Sequence, residues 1–274
     1  LKPIEECLRP MPTARSPIAE LPIRETFRPR PLTRWRRTQA GGGQLVLHGE
    51  GLRLALPAAS SRAYANVMLD DYAGLARSRF PWRPPLRLTV RARASGALAG
   101  TAGFGFWNNP GGLPEALPWL PAAIWFFHAA PPADLPLARG VPGHGWKAAC
   151  LDATRTPALA WAPLAPAVLL LNRWPPAERR IWPAVQRALG IAEAAIPAAG
   201  PAWREYVIEW RRDGARFLLD GAPVLEADCA PRGPLGFVAW LDNQWAVVTP
   251  RGRLGWGLVA AGCQWLDLAE VRIE

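Results

Sequence analysis

A tryptophan, a carboxylate and an amide stand at alternate positions near the end of one apolar run: Trp240, Asp242 and Gln244, within residues 235–245. Alternate residues of a strand share a face. The spacing therefore puts these three on one side with Val238, and Phe237, Ala239 and Leu241 on the other. A carboxyl group in apolar surroundings is held nearer its neutral form, which suits a general acid or base near neutral pH. Two groups are candidates to complete an acid/base pair with Asp242. His128 is one of three histidines, with His48 and His144. Asp71 follows Asp70 near the end of YANVMLDDY, residues 64–72. Adjacent strand residues face opposite ways, so Asp70 and Asp71 do not form a proton-sharing dyad, and turn chemistry competes with a cation-binding role for one of them. For His128, at the end of an apolar strand, a hydrogen-bonded structural role competes with catalysis.

Other chemistries find no support. Cys7, Cys150, Cys229 and Cys263 are scattered, without the closely spaced ligand pairs of a zinc site, so no metal site is expected and buried free thiols are the simpler reading. No G-x-S-x-G nucleophile elbow occurs, and no G-x-G-x-x-G precedes a plausible helix; no cofactor is expected.

The elements that must position these residues read as short strands. Proline and glycine, 31 and 25 of 274 residues, punctuate the chain more than a helical protein would allow. Residues 203–245 are the clearest stretch. Tyr206, Ile208 and Trp210 alternate up to an Asp213-Gly214 turn, then Phe217 and Leu219 run to a second turn at Asp220-Gly221. In residues 86–95, Leu86, Leu88, Val90 and Ala92 alternate with Arg87, Thr89, Arg91 and Arg93, as in a strand with one wet face. Residues 103–109, GFGFWNN, put Phe104 and Phe106 on one face and Trp107 on the other beside two glycines, which leave a bare floor next to its ring. Residues 122–129, AAIWFFHA, are nearly all apolar, as in a strand covered on both faces. Ile124, Phe126 and His128 share one parity, Trp125 and Phe127 the other.

Residues 1–40 are expected to form a Pro/Arg-rich arm whose prolines keep it out of the sheets, and residues 41–274 one sandwich domain. Between residues 156 and 200 the period changes to that of short helices, broken by prolines. This insertion suits a lid, an oligomer contact or a membrane-surface helix. The formal net charge is +10, about half of it within residues 1–40, and arginine supplies all the basic residues except Lys2 and Lys147. Without a recognised motif this charge does not make a nucleic-acid-binding protein, although attraction to an acidic polymer or membrane surface fits it. No run is long and apolar enough to span a membrane, and the opening residues, LKPIEECLRP, lack a charged-then-apolar leader; the compartment stays open.

Trp203, Tyr206, Trp210, Phe217, Asp220 and Gly221 together resemble the W-x-x-Y-x-x-x-W…F…DG signature near the C-terminal end of laminarinase-like glucanases and related concanavalin A-like lectin domains. The resemblance is moderately specific over residues 203–274, loose over 45–151, and does not extend to residues 1–40 or the helical insertion. It implies an all-β fold, a two-sheet antiparallel jelly-roll sandwich with carbohydrate lying across the concave sheet, here interrupted by the helical insertion. The hydrolases of that family carry E-x-D-x-E or E-x-D-x-x-E on a central strand, because retaining hydrolysis needs two carboxyls about 5 Å apart on one face. This chain has neither spacing; Glu226 and Asp228 stand two apart but follow the hairpin, so retaining hydrolysis is not expected.

Two functions follow. In the first, a binding module holds a carbohydrate or other amphipathic or apolar small molecule on Trp107, Asn109, Trp125, Phe127, Trp240, Asp242 and Gln244, with rings for stacking and polar groups for orientation. In the second, an enzyme, an atypical glycoside hydrolase or a lyase, isomerase or cyclase on an apolar substrate, has rebuilt the acid/base cleft around Asp242 with His128 or Asp71; a structural or partner-binding role through the arm and insertion ranks behind both.

Overall fold

The computed structural model describes residues 22–28, 33–108 and 120–274. In chain order the strands are β1 (Ile23–Glu25), β2 (Arg36–Ala40), β3 (Gln44–His48), β4 (Gly51–Leu56), β5 (Asn66–Asp70), β6 (Leu86–Ala94), β7 (Thr101–Trp107), β8 (Ala122–Ala129) and β9 (Gly145–Asp152). Helices α1 (Thr156–Trp161), α2 (Ala165–Leu171) and α3 (Pro175–Ala188) follow. The chain returns to strands with β10 (Ala192–Ala195), β11 (Arg204–Trp210), β12 (Ala215–Leu219), β13 (Ala222–Ala227), β14 (Gly236–Asp242), β15 (Gln244–Val248), β16 (Leu254–Leu258) and β17 (Gln264–Ile273).

Two antiparallel sheets stack face to face as a jelly-roll sandwich. The outer sheet has the order β13-β12-β11-β6-β17-β4-β3, with β1 added to β17; the second has the order β10-β9-β8-β7-β14-β5-β2. β15 and β16 form a separate hairpin beside the second sheet. Alternation decides which residues meet between the layers. Leu88, Val90 and Ala92 of β6, Tyr206, Ile208 and Trp210 of β11, and Phe217 of β12 face Phe104, Phe106, Phe126 and Phe237 of the second sheet in one core. Rings dominate it: Phe126 meets Phe217 at 86° and Tyr206 at 70°, with centroids 5.4 and 5.1 Å apart. Such edge-to-face pairs add to simple burial. Asp220 and Gly221, at φ 51° and 78°, make the tight β12–β13 turn that their types favour.

The arginine stripe of β6 faces outward but is not a free basic surface. Buried Asp267 accepts from Arg53 Nε at 2.7 Å and from Arg93 Nε at 3.0 Å, and Arg93 stacks 4.2 Å from the Trp203 ring. Much of this positive charge is therefore already spoken for.

Three expectations need correction. Residues 23–25 and 36–40 lie in the sheets, β1 on β17 and β2 on β5, although prolines were expected to keep residues 1–40 outside. Both strands fit between prolines rather than across them. Buried Glu25 fixes the first of them by accepting from Trp35 Nε1 at 2.7 Å and from the Phe27 amide, so Ile23, Phe27 and Trp35 all enter the core. The insertion ends earlier than expected, because β10 returns to pair with β9. The run expected to continue through residue 245 breaks at Asn243. That side chain is fully buried, accepts from Ala65 N at 2.8 Å and donates to Ser60, Ala63 and Val259 carbonyls, which turns the chain out of the sheet into β15.

Glu25→Ala should lower the unfolding free energy by about 1 to 3 kcal/mol for each of the two buried donors it strands. Denaturant titration measures this; unchanged stability would show that Glu25 does not hold this segment in the core.

Candidate functional site

The face of the second sheet turned away from the core carries its own apolar cluster, including Phe127, Val238 and Trp240, with Trp107, Trp125 and Trp245 packed on it. It floors a cleft of about 420 Å³. Register explains the gathering. Trp107, Trp125 and Trp240 lie on adjacent strands β7, β8 and β14, all at the parity opposite the core phenylalanines. Trp125 sits between the other two, its ring centroid 5.3 Å from each. Phe127 continues the row 5.7 Å from Trp125.

The glycines of β7 make this packing possible. A Cβ on Gly103 would come 2.7 Å from Trp240 Cη2 and 2.5 Å from the Phe126 carbonyl oxygen. At Gly105, whose φ of 151° suits glycine, it would come 2.6 Å from Trp125 Cβ. The floor expected to be bare is thus covered, by the Trp240 indole at Gly103 and by the β8 backbone and Trp125 Cβ at Gly105.

Asp242 ends β14 at the rim. Its Oδ1 accepts from Thr101 Oγ1 at 2.8 Å, Gln244 N at 3.0 Å and Thr101 N at 3.3 Å. Thr101 Oγ1 in turn accepts from Trp240 Nε1 at 3.0 Å, so ring and carboxylate are tied through one hydroxyl. Burial pushes the Asp242 carboxyl up to about 6, against the hydrogen bonds that favour its anion. Tyr64 stands close by, its phenol pushed up by burial and then by the Asp242 charge. Among the described residues, Asp242 is the one carboxylate lining this cleft.

Trp107, Trp125, Phe127, Trp240, Asp242 and Gln244 are therefore brought together at one cleft, while Asn109 lies outside the described residues. His128 and Asp71 are not brought there. His128 pairs with Ala102, which pairs with core residue Leu241; its ring packs on Trp146 and its Nε2 donates to Leu98 O at 3.1 Å. Burial lowers its pKa, favouring a neutral structural imidazole. Asp71 follows the far end of β5: Asn66 pairs with Asp242 but Asp70 with Val238, so five residues, about 16 Å of strand, separate the two acids. Asp71 accepts from Trp82 Nε1 at 2.6 Å and Phe237 N at 2.8 Å, and Asp70 caps the following turn. Parity alone reaches Thr101, Asn66 and Met68, which also line the cleft.

One wall had no signal in the sequence. Lys147 and Glu193 form a fully buried ion pair at 2.7 Å. Lys147 Nζ also donates to the Leu135 and Pro142 carbonyls, each at 2.9 Å, and Glu193 accepts from Ala138 N at 2.8 Å. The pair pins the loop of residues 131–144, whose Leu135 closes one side of the cleft. Desolvation lowers the Lys147 pKa and raises that of Glu193.

The fold is that of a concanavalin A-like jelly roll. The solved structures it is similar to include the Crh5 transglycosylase in complex with NAG, at 11% identity over 92% of this chain and 83% of that one, TM-score 0.50. An endo-acting O-glycanase by which members of the human gut microbiota initiate mucin breakdown matches at 10% identity over 92% and 97%, TM-score 0.51. A family 16 endo-glucanase from Bacteroides ovatus gives 9% identity over 92% and 99%, TM-score 0.49. At these identities the likeness is one of fold. No family model and no curated protein sequence matches the chain.

Burial pushes the Asp71 carboxyl from 3.8 to about 7, so the folded state favours its protonated form. Its contribution to stability is fully present below about pH 4 and declines as pH rises towards 7, because the unfolded chain ionises first. Melting temperature should fall less steeply across this window in Asp71→Asn than in the native chain; equal slopes would mean that Asp71 ionises normally. Gly103→Ala should destabilise the protein by about 1 to 3 kcal/mol through overpacking against backbone and indole. Unchanged unfolding of that variant would show that Trp240 does not lie on β7.

Proposed function

We propose that this protein is a carbohydrate-binding jelly roll, holding a sugar chain in the cleft of its second sheet. The observation that carries the reading is the tryptophan row spread across three strands with a hydrogen-bonding rim at one end. Indole faces stack on the apolar faces of pyranose rings, while a few fixed polar groups select hydroxyl orientation. Asp242 and Gln244 supply such groups: Oδ1 of Asp242 is committed to Thr101 and Gln244, and Oδ2 carries no hydrogen bond among the described residues.

A second reading is favoured by one observation, the burial of Asp242 at the cleft rim with its hydrogen bonds all on Oδ1, which pushes its carboxyl up to about 6. A group at that value exchanges a proton near neutral pH, so Asp242 can serve as a lone acid or base on an amphipathic or apolar substrate. The two-carboxylate scheme of retaining hydrolysis is not what this reading invokes, since the described lining offers a single carboxylate.

Titration with laminari- and cello-oligosaccharides separates these readings. Trp125→Ala should weaken binding by about 1 to 3 kcal/mol, the scale for losing a large apolar contact, with the fold checked by circular dichroism. Asp242→Asn should retain most affinity if the cleft only binds. If the protein turns over a substrate, the same variant should abolish turnover, and the native rate should change with an apparent pKa near 6. Full affinity in Trp125→Ala would overturn the cleft as the binding site.

A further inference from the structure

The stretch from Thr156 to Asn172 contains no charged residue, yet it lies on the surface. In α2, Val168 alone is buried; Leu169, Leu170 and Leu171 are exposed, as is Leu164 just before it. Leu170 and Trp174 are each 65% exposed. The β15–β16 hairpin adds a second apolar face. Its inner side sets Trp245 over Gly255 and Gly257, whereas cross-strand partners Val248 and Leu254 point outward with Trp256. Leu254 is 69% and Trp256 83% exposed. These surfaces adjoin: Asn172 Nδ2 donates to Pro250 O at 3.0 Å, a Cβ on Gly252 would lie 3.6 Å from Leu169 Cβ, and Arg251 pairs with Glu178 at 2.7 Å.

We propose that α2, the α2–α3 junction and the hairpin form a docking surface for an anionic lipid bilayer. Exposed apolar surface of this kind marks an interaction site rather than an ordinary soluble face. The disposition of the side chains selects the occupant. A folded partner reads one stripe of a helix, but α2 projects apolar groups in several directions, and a fluid apolar medium can solvate them all. Exposed indoles at Trp174 and Trp256 suit the boundary between headgroups and acyl chains. Arg173, Arg179, Arg180, Arg251 and Arg253 frame the patch, all five exposed; Arg251 pairs with Glu178 and Arg253 with Asp134, on a chain whose net charge is +10. They meet acidic headgroups favourably. A second copy would instead set arginines against arginines, at a cost. No helix among the described residues is long and apolar enough to cross a membrane, and docking needs none: the contact lies in the interfacial plane.

Co-sedimentation of the full chain with phosphatidylcholine vesicles, with and without phosphatidylglycerol, tests the proposal. The native protein should pellet with the mixed vesicles and much less with the neutral ones. The double variant Leu170→Glu, Leu171→Glu should lose roughly tenfold in vesicle affinity, since it removes buried apolar area and adds charge of the wrong sign. Arg173→Glu, Arg180→Glu should lose affinity only for the mixed vesicles. All four positions are exposed, and an unchanged melting temperature establishes that each variant is folded. No pelleting of the native protein, equal pelleting with neutral vesicles, or undiminished pelleting of the leucine variant would each overturn the proposal. So would a vesicle-independent dimer in sedimentation velocity that the leucine variant abolishes, which would assign the patch to a second copy.

Discussion

Both faces of the second sheet are apolar, and on the cleft face the packing depends on the indole of Trp240 lying against Gly103. β7 carries phenylalanines into the sandwich core, yet on its other face it must accept Trp240 and Trp125 from the strands on either side. A Cβ at Gly103 would collide with the Trp240 ring and the β8 backbone, and one at Gly105 with the β8 backbone and Trp125 Cβ. Without them the rings settle onto the strand and close into a row. At the end of the row, half-buried Thr101 holds both the Trp240 indole and the Asp242 carboxylate. The tryptophan row and the rim hydrogen bonds thus meet at Thr101, while burial of Asp242 raises its pKa against those bonds.

Much of this was legible because side-chain direction in a strand has period two. The alternation in β6, β11 and β12 marked the core face, and the DG turns marked the hairpins. The parity of Trp107, Trp125 and Trp240 marked one common face before any pairing was known. Pairing and register were the missing information. His128 has the parity of Phe126, which places it in the core, but the parity of one strand does not say which face is the cleft. Asp71 lies one residue beyond β5, at the end opposite Asp242, and only the β5–β14 register reveals that separation. Three further features depend on contacts far apart in sequence: the Lys147–Glu193 pair, the Asn243 pivot and the Glu25 bonds that bring part of the proline-rich stretch into the core. No local pattern encodes them.

Charge distribution divides the molecule by role. On the outer sheet, arginines are absorbed by Asp267 and by indole faces. In the cleft the described lining holds a single carboxylate and no basic side chain. Around the insertion, arginines frame bare leucine and tryptophan. A neutral polyhydroxyl ligand in the cleft and an acidic surface at the insertion are thus separate readings, each resting on its own residues.

The most direct measurement is a crystal structure with the tightest-binding oligosaccharide from the titrations. The account predicts sugar rings stacked on Trp125 and Trp240, with a hydroxyl donating to Oδ2 of Asp242. An oligosaccharide bound on the outer sheet, or a cleft left empty under saturating ligand, would contradict it.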